Sequence, residues 1–323
     1  MRPADTAMSA ATASAPVTPS WNAIQEKERL QRSLRPKYLR HNIYHTDTFS
    51  LSTADWTEYA LPLPSPPKNE TDNPIVSKTI TENPSLFKII TPINVNRFES
   101  LLSDHLNQPF VSSVCRGLRE GFWPWADTLK DGYPITHDAS LPTSTDPAKA
   151  LFLRQQRDIE LQKGRFSPSF GRDLLPGMYS MPIHAVPKPG SSDLRMVTDQ
   201  SAGRFSLNSM IARDDIKGYP LDNMKHLGEE LLLFRRTHGD EPLMLFKSDV
   251  AEAYRLLLVH PFWQIKQVNT FDGKRYVDRC NPFGGRGSGC LWISVNGLVT
   301  WIARYVRNIP TLLVYSDNAF SIV

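Results

Sequence analysis

An α+β fold is what this sequence predicts, on three observations. Apolar residues recur at helical spacing with capping residues at the ends, from Asn94 to Gly164, again from Asp222 to Arg236, and beyond Gly287. Short apolar runs flank tight-turn residues at 178–198, around Asp272-Gly273, and at 311–323. Strands joined by such short turns pair antiparallel with their neighbours, so antiparallel sheets backed by helices are expected. With 323 residues, 40% of them hydrophobic, the chain can bury a sizeable core.

Residues 1–84 are expected to contribute little to that core. Met1 to Ser20 is rich in Ala, Ser, Thr and Pro, which predicts disorder. Trp21 to Tyr44 mixes Leu30, Leu34 and Leu39 with Arg29, Arg32, Arg35, Lys37 and Arg40. It reads as a solvated charged segment, with phosphate contact as the alternative. Leu61 to Pro84 is Pro-rich and polar and reads as a linker. A helical region is expected over 85–165. Asn94 to His105 forms one helix, and Asn107 to Phe122 a second, with Asn107 as N-cap, Pro109 in the first turn and Gly121 at the stop. A third runs from Asp146-Pro147 towards Gly164, with Leu151, Phe152 and Ile159 near one face. Phe122-Trp123-Pro124-Trp125 reads as a packing plug, base stacking being the alternative.

Residues 166–240 open with two strands between Met178 and Thr198, joined by Pro189-Gly190-Ser191-Ser192. Taken alone, Lys188 and Arg195 on these strands read as edge charges that discourage aggregation. His184 on the same strand reads as a bystander. Asp222 to Arg236 predicts an amphipathic helix capped by Asp222, with Met224, Leu227, Leu231 and Phe234 at helical intervals. In residues 241–323 the apolar run Leu243 to Phe246 leads to Asp249, and Tyr254 follows five positions later. A carboxylate at a strand tip can hold a hard cation such as Mg²⁺. It can equally start the next turn or helix. Gly287-Ser288 opens a long helix with Leu291, Val295, Leu298, Ile302 and Tyr305 on one face, and Pro310 stops it. Thr311 to Val323 reads as a hairpin with Asp317-Asn318 at its turn. The turn accounts for Asp317 by itself. Its convergence with Asp249 is what argues for metal, because two ions about 3.5–4 Å apart need carboxylates from different strands.

Four segments in order resemble one family. Asp249-x-x-x-x-Tyr254 resembles the first catalytic motif of reverse transcriptases, and Tyr315-Ser316-Asp317-Asn318 their Tyr-x-Asp-Asp box. Asn281-Pro282-Phe283-Gly284 resembles the motif that opens their palm helix, and Val186 to Asp199 their fingers hairpin. The resemblance covers about Leu174 to Val323. The wording of Leu118 to Trp123, Val197 to Ser201 and Leu207 to Ile211 is most similar to fungal retroelements of the DIRS-like, tyrosine-recombinase class.

The resemblance implies a right-hand polymerase, with residues 166–240 fingers-like and 241–323 an incomplete palm. It implies template-directed transfer of deoxynucleotides to a primer 3′-hydroxyl, with an RNA or DNA template and primer as partners. Two Mg²⁺ ions, or Mn²⁺, would be held by Asp249, the Val250 carbonyl, Asp317 and Asn318. Lys188 and Arg195 would meet the triphosphate, an assignment consistent with the bidentate reach of Arg. Tyr254 would exclude a 2′-hydroxyl, a core aromatic being its alternative role. Phe283, Gly284 and Arg286 would lie near the templating base pair.

Two departures stand out. Asn318 replaces the second aspartate, removing a charge whose interaction with a cation 4 Å away is worth roughly 4 kcal/mol at an effective dielectric near 20. The family's thumb and ribonuclease H regions do not appear before Val323, so an impaired or fragmentary polymerase is expected. A non-catalytic nucleic-acid-binding remnant of a retroelement is the alternative, and an unstable product of a decayed gene a third reading.

The net charge of +4 permits a nucleic-acid partner without demanding one. Three cysteines without zinc-like spacing fit a reducing interior. No apolar run approaches a membrane span and no signal core is present, so a membrane or secreted protein is not expected. The resemblance implies the nucleus or cytoplasm.

Overall fold

The computed structural model describes residues 51–322. The disordered and basic segments expected before residue 45 lie outside the described residues. Among the described residues nine α-helices and nine strands alternate in a mixed α and β fold. The helices are α1 (Thr53–Trp56), α2 (Lys68–Thr71), α3 (Pro74–Glu82), α4 (Val95–Ser100), α5 (Gln108–Glu120), α6 (Pro147–Gln162), α7 (Met224–His238), α8 (Pro261–Gln264) and α9 (Ser288–Trp301). The strands are β1 (His137–Asp138), β2 (Tyr179–Ser180), β3 (Ile183–Pro187), β4 (Leu194–Thr198), β5 (Leu245–Asp249), β6 (Val268–Phe271), β7 (Lys274–Val277), β8 (Leu313–Tyr315) and β9 (Asn318–Ile322). They form three sheets, ordered β1-β2-β6-β7, β3-β4 and β5-β9-β8. The last two are antiparallel, whereas β1-β2 and β2-β6 pair parallel. Ser50–Val323 is one compact unit, so the boundaries expected at 85, 166 and 241 fall inside it.

α9 is the spine. It is apolar around most of its circumference, and a helix with that pattern must be interior. Leu291, Trp292, Val295, Leu298 and Trp301 are buried in the largest core cluster, together with Phe110, Val114 and Leu118 of α5 and Phe98 of α4. α1 crosses it closely. A Cβ on Gly297 would stand 2.9 Å from Thr57 Cγ2 and 3.2 Å from the Thr53 carbonyl, so only glycine admits that approach.

Local signals place several elements well. Asn107 accepts from Phe110 N at 3.2 Å and caps α5, and Gly121 ends it at φ 92°. Asp146 accepts from Ala148 N at 2.9 Å and caps α6. Asp272 and Gly273, both at positive φ, turn β6 into β7. Phe122 and Trp123 are buried, as a plug requires.

Four expectations need correction. Residues 61–84 are not a bare linker. α2 and α3 lie within them, Leu63 and Val76 are buried, and Glu70 is buried with its carboxylate bonded to Thr128 N and Oγ1, both at 2.6 Å. Proline at a helix start and a paired carboxylate disguise packed structure as linker composition. On α6, Leu151 and Ile159 face solvent, while Ala150, Leu153 and Glu160 face inward. The buried Glu160 is an ion-pair partner, which apolar periodicity cannot reveal. Asp222 does not cap α7; Asn223 does, accepting from Lys225 N at 2.8 Å in a capping box with His226. Asp222 instead ties remote segments together, accepting from Thr53 N at 2.8 Å and Val314 N at 2.7 Å. Finally, the last hairpin turns at Ser316-Asp317, not Asp317-Asn318, because Tyr315 pairs with Asn318.

Candidate active site

The site gathers where β5 ends beside the β8–β9 turn. In the β5–β9 ladder Asp249 stands opposite Asn318, and Val250 N donates to the Asp317 carbonyl at 2.9 Å. Directly opposed residues share a sheet face, with Cβ atoms about 5 Å apart. The row across that face is therefore Asp249, Asn318 and Tyr315. Asp317 sits one residue further, on the turn itself. Asn318 Nδ2 donates to Asp317 Oδ1 at 3.1 Å. Asp249 is exposed and Asp317 half-buried, so both carboxylates are reachable.

The turn carries a conformational cost. Ser316 has φ 57° while Asp317 has no positive φ, the II′ pattern, whose first central position favours glycine. The Ser316 carbonyl accepts two side-chain hydrogen bonds from α9, from Trp292 Nε1 at 2.8 Å and Asn296 Nδ2 at 3.1 Å. Tyr254 also reaches the turn, with its hydroxyl 3.4 Å from Ser316 Oγ, its ring 4.9 Å from that of Phe283 and 6.3 Å from that of Trp292.

The segment from Asp249 to Tyr254 is tied down by ions. Glu252 takes φ 56° and its carboxylate meets Lys163 Nζ at 2.7 Å and Arg165 Nη2 at 3.0 Å. Burial pushes the Glu252 carboxyl up, but hydrogen bonds from Lys163 and Arg165 outweigh it and hold it below the usual range. Arg255 is buried between Asp278 Oδ2 at 2.8 Å and Glu160 Oε2 at 2.6 Å.

The loop before α9 is held by Asn208, a residue that sequence reasoning did not single out. It donates to Ser201 Oγ at 2.8 Å and the Gly284 carbonyl at 2.9 Å, and accepts from Arg286 N at 2.6 Å. The Arg286 side chain donates to the Ile211 carbonyl and so is engaged within the protein. Gly284, at φ 91°, lies beside the Thr198 end of β4: a Cβ there would be 3.9 Å from the Thr198 carbonyl. Phe283 is 47% exposed, leaving a face free for a ligand.

Lys188 and Arg195 stand apart from this cluster on the β3–β4 hairpin. Ile183, Ala185, Leu194 and Met196 pack its inner face against Leu153 and Phe166. His184, Val186, Arg195 and Val197 alternate onto the outer face. Arg195 is exposed there, and Lys188, at the tip, pairs with Asp193 at 3.8 Å. Neither is hydrogen-bonded or ion-paired to Asp249 or Asp317.

Oxygen donors at the turn fit a hard divalent cation. Asp249 and Asp317 supply carboxylates, and the Val250 carbonyl and Asn318 Oδ1 are neutral oxygens nearby. Among the described residues no three His, Cys, Asp or Glu side chains form a metal cage. Mg²⁺ needs none: it is commonly held by one or two carboxylates plus substrate phosphates and water. The cysteines offer no competing soft site. Cys115, Cys280 and Cys290 are buried, and burial pushes their thiols up to about 11, 12 and 11 respectively. No described helix is long and apolar enough to cross a membrane.

Neither a scan against protein-family models nor a search of curated proteins gives a match for this chain.

Proposed function

We propose that this chain is a reverse transcriptase-like fingers and palm, built for template-directed nucleotidyl transfer. The observation that carries the reading is that Asp249, at the end of β5, stands across the ladder from Asn318 and next to the turn that carries Asp317, whose carbonyl accepts from Val250 N, the two segments resembling the metal-binding boxes of that family. Bound there, divalent cations would activate the primer hydroxyl and neutralise the triphosphate. Asp249 and Asp317 would hold them, with the Val250 carbonyl and Asn318 as neutral ligands. Tyr254, its ring tilted against that of Phe283, would underlie the nucleotide sugar, and Arg195 on the outer hairpin face would meet phosphate oxygens. The Phe283-Gly284 loop, clamped by Asn208, would present backbone and an exposed ring to the templating pair. Nucleus or cytoplasm is the proposed location.

The test is primer extension on RNA and DNA templates with deoxynucleotides, with and without Mg²⁺ or Mn²⁺. Extension that needs the cation and disappears in Asp249→Ala supports the reading. Wild-type protein that binds primer–template in a salt-sensitive way yet never extends it overturns catalysis. That result would support the second reading, a non-catalytic nucleic-acid-binding remnant, which the neutral Asn318 opposite Asp249 favours.

A further inference from the structure

The Ser316–Asp317 peptide is the central peptide of a two-residue turn, so its carbonyl has no ladder partner. Such a peptide can flip, exchanging a II′ for an I′ turn; the I′ form places both central residues at positive φ. The flip would move Asp317 into the left-handed region, which aspartate enters more readily than most residues other than glycine. Two donors oppose it here. Trp292 and Asn296 lie one helical turn apart on α9, on the same face, and both point at the Ser316 carbonyl, at 2.8 and 3.1 Å. Together they occupy both lone pairs of that oxygen. Both side chains are buried, with 4% and 7% exposure, so neither is free to swing away.

We propose that Trp292 and Asn296 are positioning residues: they lock the turn in its II′ form and thereby aim the Asp317 carboxylate at the cation that Asp249 shares. This rests on the proposed function above. It gives the interior spine a second task, since the helix that fills the core also sets the conformation of the turn.

The experiment titrates full-length protein with Mn²⁺ alone, read by electron paramagnetic resonance of the free ion. Asp249→Ala is the control for the underlying reading. Asn296→Leu and Trp292→Phe are each expected to weaken Mn²⁺ binding about fivefold, the equivalent of about 1 kcal/mol for one lost hydrogen bond. Ser316→Gly is the decisive addition. Glycine favours the first central position of a II′ turn, so Ser316→Gly in the Asn296→Leu background is expected to recover most of the affinity. A merely structural role for Asn296 would give no such recovery. Trp292→Phe keeps an aromatic ring in the core and serves if Asn296→Leu does not fold. Binding equal to wild type in both α9 variants, or loss that Ser316→Gly leaves uncorrected, overturns the proposal while Asp249-dependent binding stands. Wild-type protein that binds no Mn²⁺, or binds it equally in Asp249→Ala, overturns the metal-site reading itself and this proposal with it.

Discussion

Replacing Asn318 by Asp puts a second full charge directly across the ladder from Asp249 and beside Asp317. At about 5 Å, two like charges repel by about 3 kcal/mol at an effective dielectric near 20, and by less than about 1 in bulk water. Asp249 is exposed, so screening brings the penalty towards about 1 kcal/mol. The variant also loses the hydrogen bond from Asn318 Nδ2 to Asp317, about another 1 kcal/mol. Without divalent cations Asn318→Asp is therefore expected to be about 2 kcal/mol less stable than wild type. For a domain of this size that lowers the midpoint of thermal unfolding by about 4–8 °C. Cation binding reverses the sign: three carboxylates bind Mg²⁺ more tightly than two, and a ligand at a hundred times its Kd adds about 2.7 kcal/mol. The assay is thermal unfolding in chelator and in millimolar Mg²⁺, with primer extension alongside. The expected signature is a deficit in chelator that closes in Mg²⁺, with extension rising about tenfold or more. If Mg²⁺ raises both midpoints equally, the row across β5 and β9 is not a cation site and the argument fails.

Three further predictions concern the scaffold. Arg255→Ala leaves Glu160 and Asp278 buried without their shared cation and is expected to cost about 3–5 kcal/mol in urea unfolding; a loss below about 1 would mean the trio is not coupled in solution. Asp222→Asn removes one of the two acceptor oxygens that hold Thr53 and Val314, and is expected to cost about 1–3 kcal/mol, with faster hydrogen exchange at both amides. His260 caps α8 by accepting from Phe262 N, and burial pushes its imidazole down to about 4. The unfolded chain takes up that proton near pH 6.5, so this contribution is whole above pH 6.5 and is lost as pH falls through 4. His260→Asn, which keeps a capping oxygen, is expected to flatten stability between pH 7 and 4.5; an unchanged slope would remove His260 as its source.

What the sequence by itself determined is local. Capping at Asn107 and Asp146, the Asp272-Gly273 turn, the interior character of α9 and the strand leading to Asp249 were legible because each depends on residues within a few positions. The acidic residues at two strand ends were legible as well, through their order along the chain. Tertiary structure alone decided the rest. Composition made 61–84 look like a linker, yet Glu70 reaches Thr128 across 58 residues and its segment packs. Asp222 looked like a cap, but its oxygens serve Thr53 and Val314, 169 and 92 residues away. Asn208, Trp292 and Asn296 showed no pattern, since a polar side chain aimed at one distant carbonyl leaves no periodicity. The ladder register, fixed with the two-residue turn at Ser316-Asp317, placed Asn318 rather than Asp317 opposite Asp249. Local propensity depends on near neighbours and can be read along the chain; a hydrogen bond between remote segments exists only once the core has brought them together.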